Sequence, residues 1–340
     1  MSSKITDSMI ALALFVAPLF LMPALQAAEA DSESEFYLRD EEFSLKDMFK
    51  FKSPDGDFSL RIGGRLHADA AWFEDDNNNK FNNSDSDSEF RRARVFASGK
   101  AFNDWRYRFE YDFAADSDYK IKAAWIGYNG FKPLGIRAGN VITPFSLEEM
   151  TSSNRITFIE RALPNTFAPS YKVGLVANTY GDNWSAAAGL LDGKIQDGSN
   201  DGWGTAARLT FAPVKSKRRL LHGGASFEYR EPDEVRYGPR PESHLSSRVQ
   251  STSTLRDVDH TITAGLEAAA VFDSLSLQGE YIQVSVERDN QRSDPEFSGW
   301  YIYGSWFITG ESRRYNVKKG NFKSIRPGSK YGAWELAARY

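Results

Sequence analysis

Between residues 88 and 113 the chain alternates apolar and charged positions on both sides of a tight Asn103-Asp104 turn. In the first segment Ala93, Val95, Ala97 and Ala101 share one face, and Arg92, Arg94, Ser98 and Lys100 share the other. In the second, Tyr107, Phe109, Tyr111 and Phe113 alternate with Arg106, Arg108, Glu110 and Asp112. Successive strand side chains point to opposite faces, so the pattern predicts a hairpin with one apolar, aromatic face and one charged face. Repeated along a chain, this is the dyad signature of an all-β transmembrane antiparallel barrel, apolar outside and polar inside.

The alternation does repeat. A first strand is predicted at 58–73, with Leu60, Ile62, Leu66, Ala68, Ala70 and Trp72 opposite Arg61, Arg65, His67 and Asp69. The pair Gly63-Gly64 inside it fits a kink or bulge. After the opening hairpin, strands are predicted at 119–128, 134–141, 171–180, 183–191, 203–211, 219–230, 260–272, 274–288, 297–310 and 330–340, thirteen in all. Single-chain bacterial barrels have an even number of strands. Residues 144–163 break the alternation and carry a helix-like stretch at 146–150, as expected of an insertion that folds into a lumen.

The N-terminus explains how such a barrel leaves the cytoplasm. Lys4 precedes an apolar run from Met9 to Met22, and Ala28-Glu29-Ala30 offers a small-x-small cleavage site. This is a secretory signal peptide at 1–30, too short for a spanning helix. Residues 31–56 are read as an N-terminal extension and 57–340 as the barrel. Without its signal the chain carries 41 basic and 44 acidic residues. Mean hydropathy is -0.50, which barrels permit because only alternate residues meet lipid. The absence of cysteine removes thiol chemistry and nothing else.

Charge is not spread evenly. The inferred inward positions of the first five strands include Arg61, Arg65, Arg92, Arg94, Lys100, Arg106, Arg108, Lys120, Lys122 and Arg137, against Asp69, Glu110 and Asp112. A cationic field inside a narrow tube concentrates anions, and guanidinium forks match phosphate oxygens. Loop cations Arg236, Arg240 and Arg248, with Lys318, Lys319, Lys323 and Arg326, are expected to form a funnel at the pore mouth. The acidic loop 75–88 lacks calcium-loop spacing. The histidines His67, His222, His244 and His260 fall in no metal or catalytic pattern, and adjacent Glu148 and Glu149 would not share a helix face. No catalytic site, metal or cofactor is expected.

Several ordered segments resemble the phosphate-selective porin O and P family: LRIGGRLHAD (60–69), FRRAR (90–94), DWRYRFEYDF (104–113), PFSLEEMTSS and FIERAL within 144–163, FAP (211–213), GESRRY (310–315) and GAWELAARY (332–340). The resemblance implies a sixteen-stranded trimeric outer-membrane barrel of a Gram-negative bacterium, with an arginine ladder leading to a lysine-rich constriction. It implies lipid and inorganic anions as partners, and no nucleic acid. The ladder arginines match Arg65, Arg91 and Arg92, and a lumen basic position matches Arg106. Plain alternation points Arg91 outward with Ala93, so a bulge or a strand end is required there. The family's constriction aspartate falls at Lys122, and two of its loop lysines fall at Glu149 and Asn154, with Lys122 and Arg155 restoring positive charge. The family continues for three strands past GAWE, so the chain is expected to be C-terminally truncated. The expected function is passive diffusion of phosphate, pyrophosphate or polyphosphate-like anions. The alternatives are a nonspecific porin and a non-conducting structural or adhesive outer-membrane protein.

Overall fold

The computed structural model describes residues 49–73, 86–115, 120–195, 202–240, 243–248, 251–289 and 292–340. The expected signal peptide, residues 31–48 of the expected extension and most of the acidic loop lie outside the described residues.

One antiparallel sheet of fourteen strands forms the wall, each strand hydrogen-bonded to its neighbour in the order of the chain. Its members are β1 (Lys50–Lys52), β2 (Ser59–Ala71), β3 (Asp87–Ala101), β4 (Trp105–Asp112), β5 (Ile121–Tyr128), β6 (Gly135–Ile142), β7 (Tyr171–Tyr180), β8 (Trp184–Leu191), β9 (Gly204–Lys215), β10 (Arg219–Arg230), β13 (Val258–Phe272), β14 (Leu275–Arg288), β15 (Glu296–Phe307) and β18 (Glu335–Arg339). Two small ribbons lie off it: β11 (Glu234–Val235) with β12 (Leu255–Arg256), and β16 (Tyr315–Asn316) with β17 (Asn321–Phe322). The thirteen expected strands are present, and β1 adds a short fourteenth, pairing Phe51 with Leu60.

Local sequence explains the turns. Phe102 and Asn103 both take positive φ, 48° and 63°, which is the twist a tight hairpin needs between β3 and β4. The bulge lies elsewhere than the Gly63-Gly64 pair. Gly63 keeps its register opposite Phe96, and a Cβ there would stand 2.6 Å from the Phe96 ring, so this glycine makes room for an inward aromatic. The register breaks between His67 and Ala68, which pair with Arg92 and Phe90 and leave Arg91 as the extra residue.

The outer surface is apolar. Leu66 is 63% exposed, Phe90 63%, Leu190 63% and Leu266 62%, values that a water-facing sheet would not carry in one continuous band. Among the described residues no helix is long and apolar enough to cross a membrane. A closed sheet can cross instead, because its backbone groups pair between strands.

Connections differ between the two ends. Tight links at 102–104, 181–183, 216–218 and 273–274 mark one end, and long ones at 143–170 and 231–257 mark the other. The 308–334 connection emerges at the tight-turn end, where Arg218 Nη2 donates to the Gly310 carbonyl at 3.1 Å. Lys323 therefore belongs to a connection that enters from the opposite end to Arg236 and Arg240. The single funnel expected from sequence is divided, because strand parity sends the two loops to opposite mouths.

Both long insertions turn inward and fill one side of the interior. Leu147 and Phe322 pack with Leu220, Ala269 and Val271. Ala162 and Phe158 pack on Tyr301 and Tyr303, and Phe167 packs on Val258, Val284 and Val286. The lumen-facing sides of β10 and β13–β15 are thus covered by loop.

Leu266 sits midway along β13 on the outer face. Leu266→Arg is expected to cost about 2–4 kcal/mol in reversible unfolding from lipid vesicles. The exposed substitution Arg256→Leu, on the small β11–β12 ribbon off the wall, is expected to cost little in the same titration.

Candidate functional site

The open part of the interior is a cavity of about 1290 Å³ against β1–β8. Among the described residues, sixteen arginines and lysines line it and three carboxylates, Glu110, Asp112 and Glu149, accompany them. Strands β2–β6 supply nine of these cations, the two inserted segments four, β1 two and β9 one.

In the middle of the wall the arginines are paired. Arg65 and Arg94 face each other directly across β2 and β3, an arrangement that repels. Glu110 on β4 resolves it: its Oε1 accepts from Arg65 Nη2 at 2.9 Å and from Arg94 Nη1 at 3.2 Å, and its Oε2 accepts from Arg108. Asp112 takes Arg94 Nε at 2.6 Å. Arg65 also donates to Ser152 Oγ of the inserted loop at 3.2 Å.

The bulge brings Arg91 inward beside Arg92. Both reach Glu160 of the loop: Arg91 through Nε at 2.5 Å and Nη2 at 3.3 Å, Arg92 through Nη2 at 3.2 and 3.3 Å. Arg92 is 3% exposed and also meets His67 Nδ1 at 3.3 Å. Burial works to raise the Glu160 carboxyl, but the Arg91 hydrogen bond and the charges of both arginines outweigh it and hold the group below its ordinary 4.5.

The loop's own frame absorbs its other carboxylates. A short helix, α1 (Leu147–Met150), begins at Ser146, whose Oγ accepts from Glu149 N at 3.1 Å. Its first two amides, of Leu147 and Glu148, donate to the Glu280 carboxylate of β14 at 2.9 and 2.8 Å. Glu148 accepts from Arg339 of β18 at 3.3 Å. Glu149 accepts from Asn165 Nδ2 and Ser170 Oγ, both at 3.0 Å, and pairs with Arg161 at 3.2 Å. Glu149 therefore closes the loop's base, with Arg161 offsetting its charge.

The residues singled out in sequence separate into groups. Arg65, Arg91 and Arg92 are tied to carboxylates. Lys122 lines the cavity with Asp112 and Glu149, and Arg155 lines it from the loop. Arg106 lies nearer the tight-turn end, donating to the carbonyls of Asn103 and Trp105. Asn154 Oδ1 is 2.8 Å from His67 Nε2. At the long-loop mouth Arg236 contacts Ser251 and Arg240 donates to the His244 carbonyl at 2.6 Å.

Sequence reading missed a buried cluster that anchors the second insertion. Arg208 pairs with Glu267 at 2.5 Å and donates to the Gly320 carbonyl at 2.7 Å; His222 Nε2 is 2.9 Å from Glu267 and its Nδ1 2.6 Å from the Tyr315 hydroxyl. The only advance signal was that Arg208, His222 and Glu267 fall on inward parity. Glu160 and Arg161 were visible inside FIERAL without their partners.

Removing the Glu160 charge strands the buried Arg92. Glu160→Gln is expected to cost about 3 kcal/mol or more and to raise open-channel current noise as the loop loosens. Because the Glu160 carboxyl is held low, its contribution is complete above 4.5 and is lost as pH falls through the lowered value. Wild-type noise is expected to rise only in that acid range, and the variant's noise to lack this acid step.

A family model described as phosphate-selective porin O and P matches residues 60–340. Porin O of Pseudomonas aeruginosa is 29% identical over 321 residues, covering 84% of this chain and 73% of that protein. An uncharacterized protein of Caulobacter vibrioides is 29% identical over 310 residues, covering 84% of this chain and 61% of its own length. Among solved structures, a loop-deletion variant of OmpT, an outer membrane protein of Vibrio cholerae, superposes with a TM-score of 0.50 at 10% identity, over 76% of this chain and 80% of that one.

Proposed function

Because this chain belongs to the phosphate-selective porin O and P family, we propose that it is a passive channel for small anions, phosphate and its condensed forms among them. It is a β-barrel porin of the Gram-negative outer membrane. The observation that carries the anion reading is the cavity lining, with sixteen cations against three carboxylates in a chain of net charge -4. Such a segregated field raises the local concentration of anions and speeds their entry. Arginine and lysine linings are the recurring device of anion pores.

In this reading the 144–163 loop narrows the path, with Arg65, Lys122 and Arg155 beside it and Arg106 further toward the tight turns. Arg91 and Arg92 act by holding the loop through Glu160. Arg236 and Arg240 guide solute at one mouth, Lys323 at the other. Residues 1–30 direct export and are removed, the wall begins at β1 inside the segment expected to be an extension, and the assembled form is a homotrimer surrounded by lipid. Nothing in this arrangement calls for catalysis: the lining offers binding and a gradient supplies the drive.

Reversal potentials across a planar bilayer in a salt gradient test the proposal. Anion preference is expected, and addition of phosphate is expected to reduce chloride current. Cation preference overturns the reading. A chloride current indifferent to phosphate identifies a nonspecific porin, and a folded barrel without conductance identifies a structural or adhesive role.

A further inference from the structure

The cations of the lumen are not equivalent. Those in the middle of the wall are spent on Glu110, Asp112 and Glu160. Toward the tight-turn end this stops: among the described residues, neither Arg61 nor Arg137 has a carboxylate within salt-bridge reach. What they have instead is aromatic. The Arg61 guanidinium lies 5.4 Å from the Phe96 ring centroid, with Arg108 at 4.3 Å from the same ring. Arg137 lies 5.6 Å from the Trp125 ring, and among the described residues it donates to Asn178 Oδ1 at 3.4 Å.

These contacts are built into the strands. Arg61, Ser98, Arg108 and Trp125 form one continuous row across β2–β5. Glycines stand where side chains would spoil it. A Cβ on Gly63 would meet Phe96 at 2.6 Å, and a Cβ on Gly127 would meet Arg137 Cγ at 2.8 Å. All of these arginines and rings line the cavity. A guanidinium that faces a ring keeps its in-plane N–H edge for an oxyanion. Arg61 and Arg137 thus hold donor capacity next to half-buried rings that still line the cavity.

We propose that this half of the lumen is a subsite for aromatic phosphate monoesters, resting on the anion-porin reading above and narrowing its solute class. The phosphate takes the N–H edge of Arg61 or of Arg137. The aryl group joins the alternation of ring and guanidinium between Phe96 and Trp125. The site is distinct from the carboxylate-rich middle of the wall, and it favours an anion carrying a planar apolar group over a bare one.

The test compares block of chloride current through the full chain by phenyl phosphate and by methyl phosphate, which share charge but differ in the ring. Phenyl phosphate is expected to reach half-block at a concentration about fivefold lower. Phe96→Leu and Trp125→Leu, each checked for a folded barrel, are expected to bring the two concentrations together. Equal half-block in the wild type overturns the subsite while leaving the anion porin intact. A preference that survives both substitutions also overturns it. Cation-selective current with no block by either ester fails the underlying reading, and the subsite with it.

Discussion

The loop between β6 and β7 carries Glu148, Glu149 and Glu160 into an interior where charge persists only when paired. Each finds an arginine, and the arginines come from different parts of the molecule: Arg339 on the last strand, Arg161 within the loop, Arg91 and Arg92 near the first strands. A half-paired group in such a place is costly, so the loop has few alternative positions. Two of these carboxylates, Glu148 and Glu160, connect β18 with β3 in a sheet whose edges, β1 and β18, are not neighbours in the described hydrogen-bonding order. The loop is therefore both a filling for the lumen and a tie across the wall.

That tie makes the interior lopsided. With β10 and β13–β15 covered by the two insertions, the remaining space follows β1–β8. Lumenal positions on the covered strands are occupied by valine, tyrosine and buried polar networks such as Gln278, Tyr303 and Arg313. Those on β2–β6 carry most of the lining's arginine and lysine. The chemistry of a strand thus follows what stands in front of it, and the charge bias of the first five strands expresses the shape of the interior as much as the preference of a solute.

Much of this was legible beforehand. Thirteen strands and the inward parity of Arg61, Arg65, Arg94, Arg108 and Arg137 follow from period two alone, because one face meets lipid and the other water. β1 was not legible, since three residues are too few to show a period. The inward turn of 308–334 was also hidden: which end a connection occupies depends on counting every strand before it, and its anchor is a set of single residues on β9, β10 and β13. Arg91 shows the boundary well. Plain alternation sends it outward and the family resemblance sends it to the pore, and that conflict already required a bulge or a strand end before any register was known. For Glu149 only the charge was readable in advance; Arg161, Asn165 and Ser170 make it a clamp at the base of the loop.

The extra residue in β3 also divides the strand into two reading frames. On the turn side of it, Arg92, Arg94, Phe96 and Ser98 face inward; on the loop side the parity reverses, so that Phe90 meets lipid and Glu89 meets His244. A one-residue change of length beyond the bulge can be absorbed by moving or erasing it. The same change between Arg92 and the hairpin turn would exchange every guanidinium for an alanine or valine on the lumen face. Tolerance to insertion in this strand is therefore one-sided, and the face that carries the lining is the side that cannot drift.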